Sequence, residues 1–193
     1  MFANDDHNAV MCKALFSKDP HPDLAGKLAL FGQFIGSWDV EFTDHLPDGS
    51  TQTVKGEAHF GWALEGRAIM DVWIFPRREL RAEMPNVGEY GVTIRFYDPD
   101  IDAWRSTWIG PAKRFVFPFI GRFVNGEIVL EGSFGGEIVL EGGSQEGVLT
   151  RWIFSDIATD SFGWRAIQSS DNWATHLLYQ EMVARRAAKV YSE

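Results

Sequence analysis

From Gly36 onward, apolar and polar residues alternate with a period of two, and this alternation restricts the fold more than any other feature. In Trp38-Asp39-Val40-Glu41-Phe42 every second residue is apolar. Successive side chains of a strand point to opposite faces of a sheet, so such a segment predicts a strand with one buried face. About ten segments of this kind follow one another, separated by turn residues such as Pro47-Asp48-Gly49, and no convincing helical pattern interrupts them.

A meander of this many strands leaves unpaired edges unless the sheet closes, which favours a closed up-and-down antiparallel barrel over a sandwich. The N-terminal segment differs, because apolar residues between Leu24 and Phe34 have helical spacing behind Asp23, a candidate N-cap. We therefore predict an all-β, lipocalin-like barrel of about ten strands with an N-terminal helical segment capping one end. The expected organisation is a helical extension and cap in residues 1–35, the barrel in residues 36–186 and a tail in residues 187–193.

One short segment, Gly-Glu-Ile-Val-Leu-Glu-Gly, occurs twice, at residues 126–132 and 136–142. Two identical alternating strands joined by Ser133-Phe134-Gly135 predict a hairpin in which the two copies pair. Either copy can take either position, so the register of this hairpin is weakly specified.

Charge and cysteine content restrict the partners and the compartment. The formal net charge of −9 disfavours binding to nucleic acid and to anionic membrane surfaces. The single cysteine, Cys12, excludes an intrachain disulfide, and the first residues resemble no signal peptide, so we expect a cytoplasmic protein. No apolar stretch approaches the roughly 20 residues of a membrane span. The aromatic content of 14% is compatible with a homodimer, because one small barrel hides a limited number of rings.

Three motifs carry a resemblance to known families. The segment Phe34-Ile35-Gly36-Ser37-Trp38 resembles the opening of lipocalins, fatty-acid-binding proteins and their calycin relatives, in which the Trp closes one barrel end. The turn Ser169-Ser170-Asp171-Asn172-Trp173, with a last strand ending in Arg185-Arg186, resembles the closing hairpin of an uncharacterised bacterial lipocalin-like family. That family has Gly where this chain has Asn172, and Tyr97-Asp98-Pro99 suits its middle hairpin. The resemblance implies a barrel with a cavity and does not specify a reaction.

The sequence contains no strong catalytic or metal-binding signature. The five histidines are scattered, so we expect no metal site. A haem-binding relative of the nitrobindin type also opens with Gly-x-Trp, but it continues with a Gly-rich run ending in Tyr-Pro that this chain lacks. We therefore expect no cofactor, although His176 on the predicted last strand is placed about where a proximal haem ligand would lie.

Polar residues within apolar strands are the remaining candidates for a functional site. Asp71 lies in Ala68-Ile69-Met70-Asp71-Val72-Trp73-Ile74, where isolated burial of a carboxylate would be costly and would raise its pKa. Of the two faces of this strand we favour the one with Ile69, Asp71, Trp73 and Phe75 as the inner face, because it combines aromatic rings with one acid. Arg95 lies between two apolar residues in the same way.

Two functions follow from these residues, and we favour the first. As a binding protein, the barrel would hold a small hydrophobic or aromatic molecule, with Arg95 pairing with a carboxylate or enolate of that ligand. The predicted ligand-binding residues are Trp62, Trp73, Tyr97, Trp108, Trp164 and Gln168. As a cofactor-independent isomerase, cyclase or hydratase, it would use Asp71 or His176 as general acid or base and Arg95 to stabilise negative charge. A purely structural role, with arginines stacked on tryptophans and paired with surface acids, stays open.

Overall fold

The computed structural model describes residues 4–84, 88–133 and 147–188. Within these ranges, ten long strands form a closed barrel, preceded by two α-helices and one two-residue strand. The helices are α1 (Asn4–Leu15) and α2 (Ala25–Gly32). The strands are β1 (Phe16–Ser17), β2 (Gly36–His45), β3 (Thr51–Ala63), β4 (Ala68–Phe75), β5 (Glu89–Asp98), β6 (Ala103–Gly110), β7 (Phe115–Val124), β8 (Glu127–Ser133), β9 (Leu149–Ser155), β10 (Ser161–Ser169) and β11 (Leu177–Arg186).

The barrel is an up-and-down meander of antiparallel strands. Each strand from β2 to β10 pairs with the next one along the chain, and β11 returns to pair with β2, with Val183 opposite Glu41. The closing pair removes the free edges that an open meander of these strands would have. The predicted fold class, an all-β closed barrel with a helical segment at its start, is confirmed.

The two-residue alternation decides which side chains face the barrel interior. Trp38, Val40 and Phe42 of β2 are buried, and the residues between them are exposed. Residues paired across neighbouring strands lie on the same face of the sheet. Asp71 of β4 lies opposite Thr93 of β5, and both side chains are buried. The inner face of β4 is therefore the one that contains Asp71.

Helix α2 and the residues after it fill one end of the barrel. Leu28, Phe31 and Phe34 are at most 1% exposed. The helix begins at Ala25 after a 3₁₀ turn, so Asp23 is not its N-cap as predicted. Asp23 lies inside that turn, and its own backbone N–H donates to Nδ1 of His21.

The Gly-x-Trp motif lies where α2 leads into β2. Gly36 has a φ of +124°, a conformation that favours glycine, and Nε1 of Trp38 donates to the carbonyl of Phe34 at 2.7 Å. The guanidinium of Arg186, from the end of β11, lies 4.1 Å from the centroid of the Trp38 ring and donates to the carbonyl of Ile35 at 2.9 Å. The first and last strands are thus joined at the end that α2 fills.

The strand that contains the first repeat copy has both edges occupied by other strands. Ile128 of β8 lies opposite Phe123 of β7 on one side and Phe154 of β9 on the other. No edge of β8 is left for the second copy, so the predicted pairing of the two copies as a hairpin is wrong. The second copy, at residues 136–142, lies outside the described residues.

A charged contact on the outer face joins β3 to the segment after β4. Nε of Arg78 donates to Oε1 of Glu57 at 2.7 Å, and Nε2 of His59 lies 3.2 Å from Oε2 of Glu57. Burial raises the pKa of Glu57, but the hydrogen bonds from Arg78 and His59 and the charge of Arg78 outweigh it and lower the pKa from 4.5 to about 2. Glu57 therefore stabilises the fold only while it is ionised.

Acidification is expected to remove this stabilisation. A carboxylate with a lowered folded-state pKa contributes fully above its unfolded value of 4.5 and loses its contribution as the pH falls toward 2. We expect a contribution of about 1–2 kcal/mol, allowing for the solvent around Arg78. Urea unfolding at about pH 5.5 and about pH 2.5 should show a smaller loss of stability for Glu57→Gln than for the wild type. Glu41→Gln, on the exposed face of β2, should behave like the wild type; equal losses in all three proteins would contradict the prediction.

Candidate functional site

A cavity of about 170 Å³ lies inside the barrel, at the end away from α2. Its lining is mostly aromatic and includes Phe42, Trp73, Phe75, Trp108, Phe115, Trp152, Phe154, Trp164 and Tyr179. The polar residues in the lining are Glu89, Thr93, Arg95, Lys113, Gln168 and Gln180. Gly91 leaves the space that the Trp108 ring occupies, because a Cβ at Gly91 would lie 2.3 Å from Cζ2 of Trp108.

A buried ion pair lies at the inner end of the cavity. Nη2 of Arg95 is 2.6 Å from Oδ1 of Asp71, with side-chain exposures of 2% and 0%. Nε1 of Trp73 donates to Oδ2 of the same carboxylate. Burial raises the pKa of Asp71, and the charge of Arg95 together with the Trp73 donor opposes that rise. Burial likewise lowers the pKa of Arg95, but a guanidinium stays protonated in proteins.

Two nitrogens of the Arg95 guanidinium have no hydrogen-bond partner within the described ranges. One face of the guanidinium packs on Phe31 of α2, the helix that forms a helical plug in this end of the barrel, with Cζ 4.5 Å from the ring centroid. Nε and Nη1 have no hydrogen-bond partner among the described residues, and Arg95 lines the cavity. A buried donor without a partner costs about 1–3 kcal/mol. A bound molecule with an acceptor atom at this position would remove that cost.

A second buried polar group, Glu89, lies toward the open end of the cavity. Its side chain is mostly buried, Oε1 has no hydrogen-bond partner within the described ranges, and Nζ of Lys113 lies 3.6 Å from Oε2. Burial raises the pKa of Glu89, and Lys113 counteracts this only in part. Glu89 is not among the residues singled out from the sequence, although it stands six residues before Arg95 and therefore shares its face of β5.

The structure brings together six of the residues that the sequence singled out. Trp73, Trp108, Trp164 and Gln168 line the cavity with Arg95. Asp71 lies directly behind this lining, in contact with Trp73 and Arg95. Trp152, which contacts Trp108 and Trp164 edge-on, was not among the predicted residues.

Three predicted site residues do not reach the cavity. Trp62 is on the inner face but packs over Gly32 of α2, and Tyr97 donates to Asp102 at the same end of the barrel. His176 is exposed in the turn before β11, which begins at Leu177, so it does not lie on the last strand as predicted. For Trp62 and Tyr97 the reason is the helical plug, which occupies the end of the barrel toward which they point.

Two further classes of feature are absent from the part of the chain that the structure describes. It contains no group of three His, Cys, Asp or Glu side chains that could hold a metal ion. No helix within it is long and apolar enough to cross a membrane.

No protein-family model and no curated protein matches the sequence. Among solved structures, the chain is similar to the S-type phycobiliprotein lyase CPES from Guillardia theta, with a TM-score of 0.50 and 10% identity over 83% of this chain and 92% of that one. It is also similar to Rv2717c from M. tuberculosis, with a TM-score of 0.48 and 10% identity over 88% of this chain and 100% of that one. At this identity the likeness to the lyase shows the fold alone, a lipocalin-like barrel.

Proposed function

We propose that this protein binds a small hydrophobic molecule, about the size of one substituted aromatic ring, inside the barrel. The observation that carries the proposal is an aromatic cavity whose inner end presents Nε and Nη1 of Arg95, which have no hydrogen-bond partner in the described part of the chain. Ligand sites commonly combine apolar walls with a few placed polar groups. A volume of about 170 Å³ is close to the roughly 150 Å³ that holds benzene in an apolar protein interior.

Binding is favoured over catalysis by the positions of the candidate acid and base. His176 is exposed outside the cavity, so it does not reach a molecule bound there. Oδ1 of Asp71 is held by the ion pair with Arg95, and Oδ2 accepts a hydrogen bond from Trp73. Proton transfer by Asp71 would require these contacts to break, whereas ligand binding requires no change in them.

The family and the compartment are part of the same proposal. We propose that the chain belongs to the uncharacterised bacterial lipocalin-like family, and the support is that Gly36, Trp38 and Arg186 of its motifs meet at one barrel end. We place it in the cytoplasm because of its single cysteine, Cys12.

Isothermal titration calorimetry with acetophenone and ethylbenzene, single-ring probes of the proposed size, tests ligand binding. We expect one molecule bound per chain, with affinity reduced at least tenfold in Gln168→Trp because the added indole occupies cavity space. The matched control Glu41→Trp adds the same indole on the exposed face of β2 and should bind like the wild type. Absence of binding to the wild type, or equal binding to both variants, would contradict the proposal.

A further inference from the structure

Three side chains of the cavity lining, Arg95, Glu89 and Thr93, have polar atoms without a hydrogen-bond partner among the described residues. The two charged ones, Arg95 and Glu89, indicate the chemistry of the ligand. We propose that the ligand is an uncharged planar ring compound that carries a hydrogen-bond acceptor for Arg95 and a separate N–H or O–H donor for Glu89. This inference rests on the proposed function and names the ligand class of the same cavity.

The formal charges around the cavity indicate that the ligand is uncharged. Arg95 is paired with Asp71, and Nζ of Lys113 lies 3.6 Å from Oε2 of Glu89, so the charges of these four residues cancel. Arg81, whose Nη1 donates to the carbonyls of Phe75 and Glu89, is not part of the cavity lining. A ligand carboxylate would therefore add an uncompensated negative charge to a desolvated interior, at a cost of several kcal/mol. The net charge of −9 further disfavours an anion. A neutral carbonyl accepts the same N–H groups of Arg95 without that cost.

The positions along β5 bring the two polar groups to a ring-sized separation. The guanidinium of Arg95 reaches Asp71, which lies opposite Thr93. Oε1 of Glu89 lies 2.8 Å from the point where a Cβ on Gly110 would stand. Because Ile109 of β6 pairs with Val92 of β5 in antiparallel register, Gly110 lies level with Gly91. The guanidinium of Arg95 and the carboxyl of Glu89 are therefore separated by about two residues along β5, or roughly 7 Å. Both ends of one substituted ring can be hydrogen-bonded across such a gap.

The aromatic wall between these groups favours a planar ligand. Trp108 contacts Trp152 at a centroid distance of 5.7 Å, and Trp152 contacts Trp164 at 5.4 Å, both edge to face. Rings in this arrangement can contact a further ring in offset or T-shaped geometry. Such contacts contribute binding free energy beyond that of the buried area alone.

Titration calorimetry with four probes of similar size tests the inference. They are 4-aminoacetophenone with an acceptor and a donor, acetophenone with the acceptor alone, ethylbenzene with neither, and benzoate as the anion. We expect the wild type to bind 4-aminoacetophenone about tenfold more tightly than acetophenone, acetophenone more tightly than ethylbenzene, and benzoate most weakly. In Glu89→Leu the ratio of the affinities for 4-aminoacetophenone and acetophenone should fall from about ten to about one.

The outcomes separate this inference from the proposed function. If no probe binds the wild type, the proposed function is wrong. If all four bind with equal affinity, or benzoate binds most tightly, ligand binding stands and the uncharged donor–acceptor ligand is refuted. The probe series in the wild type decides this even if Glu89→Leu does not fold. If Glu89→Leu folds and keeps the preference for the amino group, the role of Glu89 is refuted.

Discussion

Asp71→Asn is expected to lower the free energy of unfolding by about 3–5 kcal/mol, because it leaves the guanidinium of Arg95 buried without its counter-charge. The guanidinium cannot neutralise itself by losing a proton. Urea unfolding near pH 7, followed by circular dichroism, measures the loss.

Arg95→Met removes the other partner of the same ion pair, and its effect should depend on pH. The remaining carboxyl of Asp71 is buried, so its folded-state pKa rises above the unfolded value, and it can bind a proton. An acid with a raised pKa destabilises the fold as the pH rises through that value. The loss relative to the wild type should thus be about 2–4 kcal/mol near pH 7 and smaller near pH 5.

The surface pair of Arg151 and Glu131, with an Nε to Oε2 distance of 2.6 Å, supplies the control. Glu131→Gln should cost about 0–1 kcal/mol because solvent screens that pair. If Asp71→Asn costs no more than Glu131→Gln, or if Arg95→Met shows no pH dependence, the account of the buried pair is wrong.

Phe31→Ala is expected to destabilise the protein by about 3–5 kcal/mol, the usual cost of emptying a large buried aromatic position. The ring of Phe31 lies 4.7 Å from that of Trp104 and 5.9 Å from that of Phe154, and it covers Arg95. Its loss opens a void between the helical plug and the ion pair. Urea unfolding of the variant measures the effect.

Phe123→Ala provides the matched control, since the Phe123 side chain is 58% exposed near the end of β7. It should cost less than about 1 kcal/mol because little apolar area is removed from the interior. Similar losses for both variants would mean that α2 contributes little to the stability of the barrel.

The fold was largely predictable because the alternation of side chains along a strand is a local property. Trp38, Val40 and Phe42 indicate their buried face without knowledge of their neighbours, and the favoured inner face of β4 with Asp71 is the observed one. The hairpin between the two repeat copies was predicted wrongly, because identical sequence does not decide which strands occupy the edges of β8.

The candidate site was only partly predictable, because facing inward is not the same as lining the cavity. Trp62 and Tyr97 face inward at the end that α2 fills, and His176 lies in a turn outside. Glu89 shares a face with Arg95, but its burial depends on neighbouring strands that only the closed barrel supplies.

The sequence by itself determined a closed sheet of alternating strands and the face on which Asp71 and Arg95 lie, because both follow from side-chain periodicity. Only the tertiary structure decided that these two residues pair with each other, that α2 fills one end, and that Glu89 faces the remaining space. These features depend on strand register and on the packing of distant segments, which no local pattern encodes.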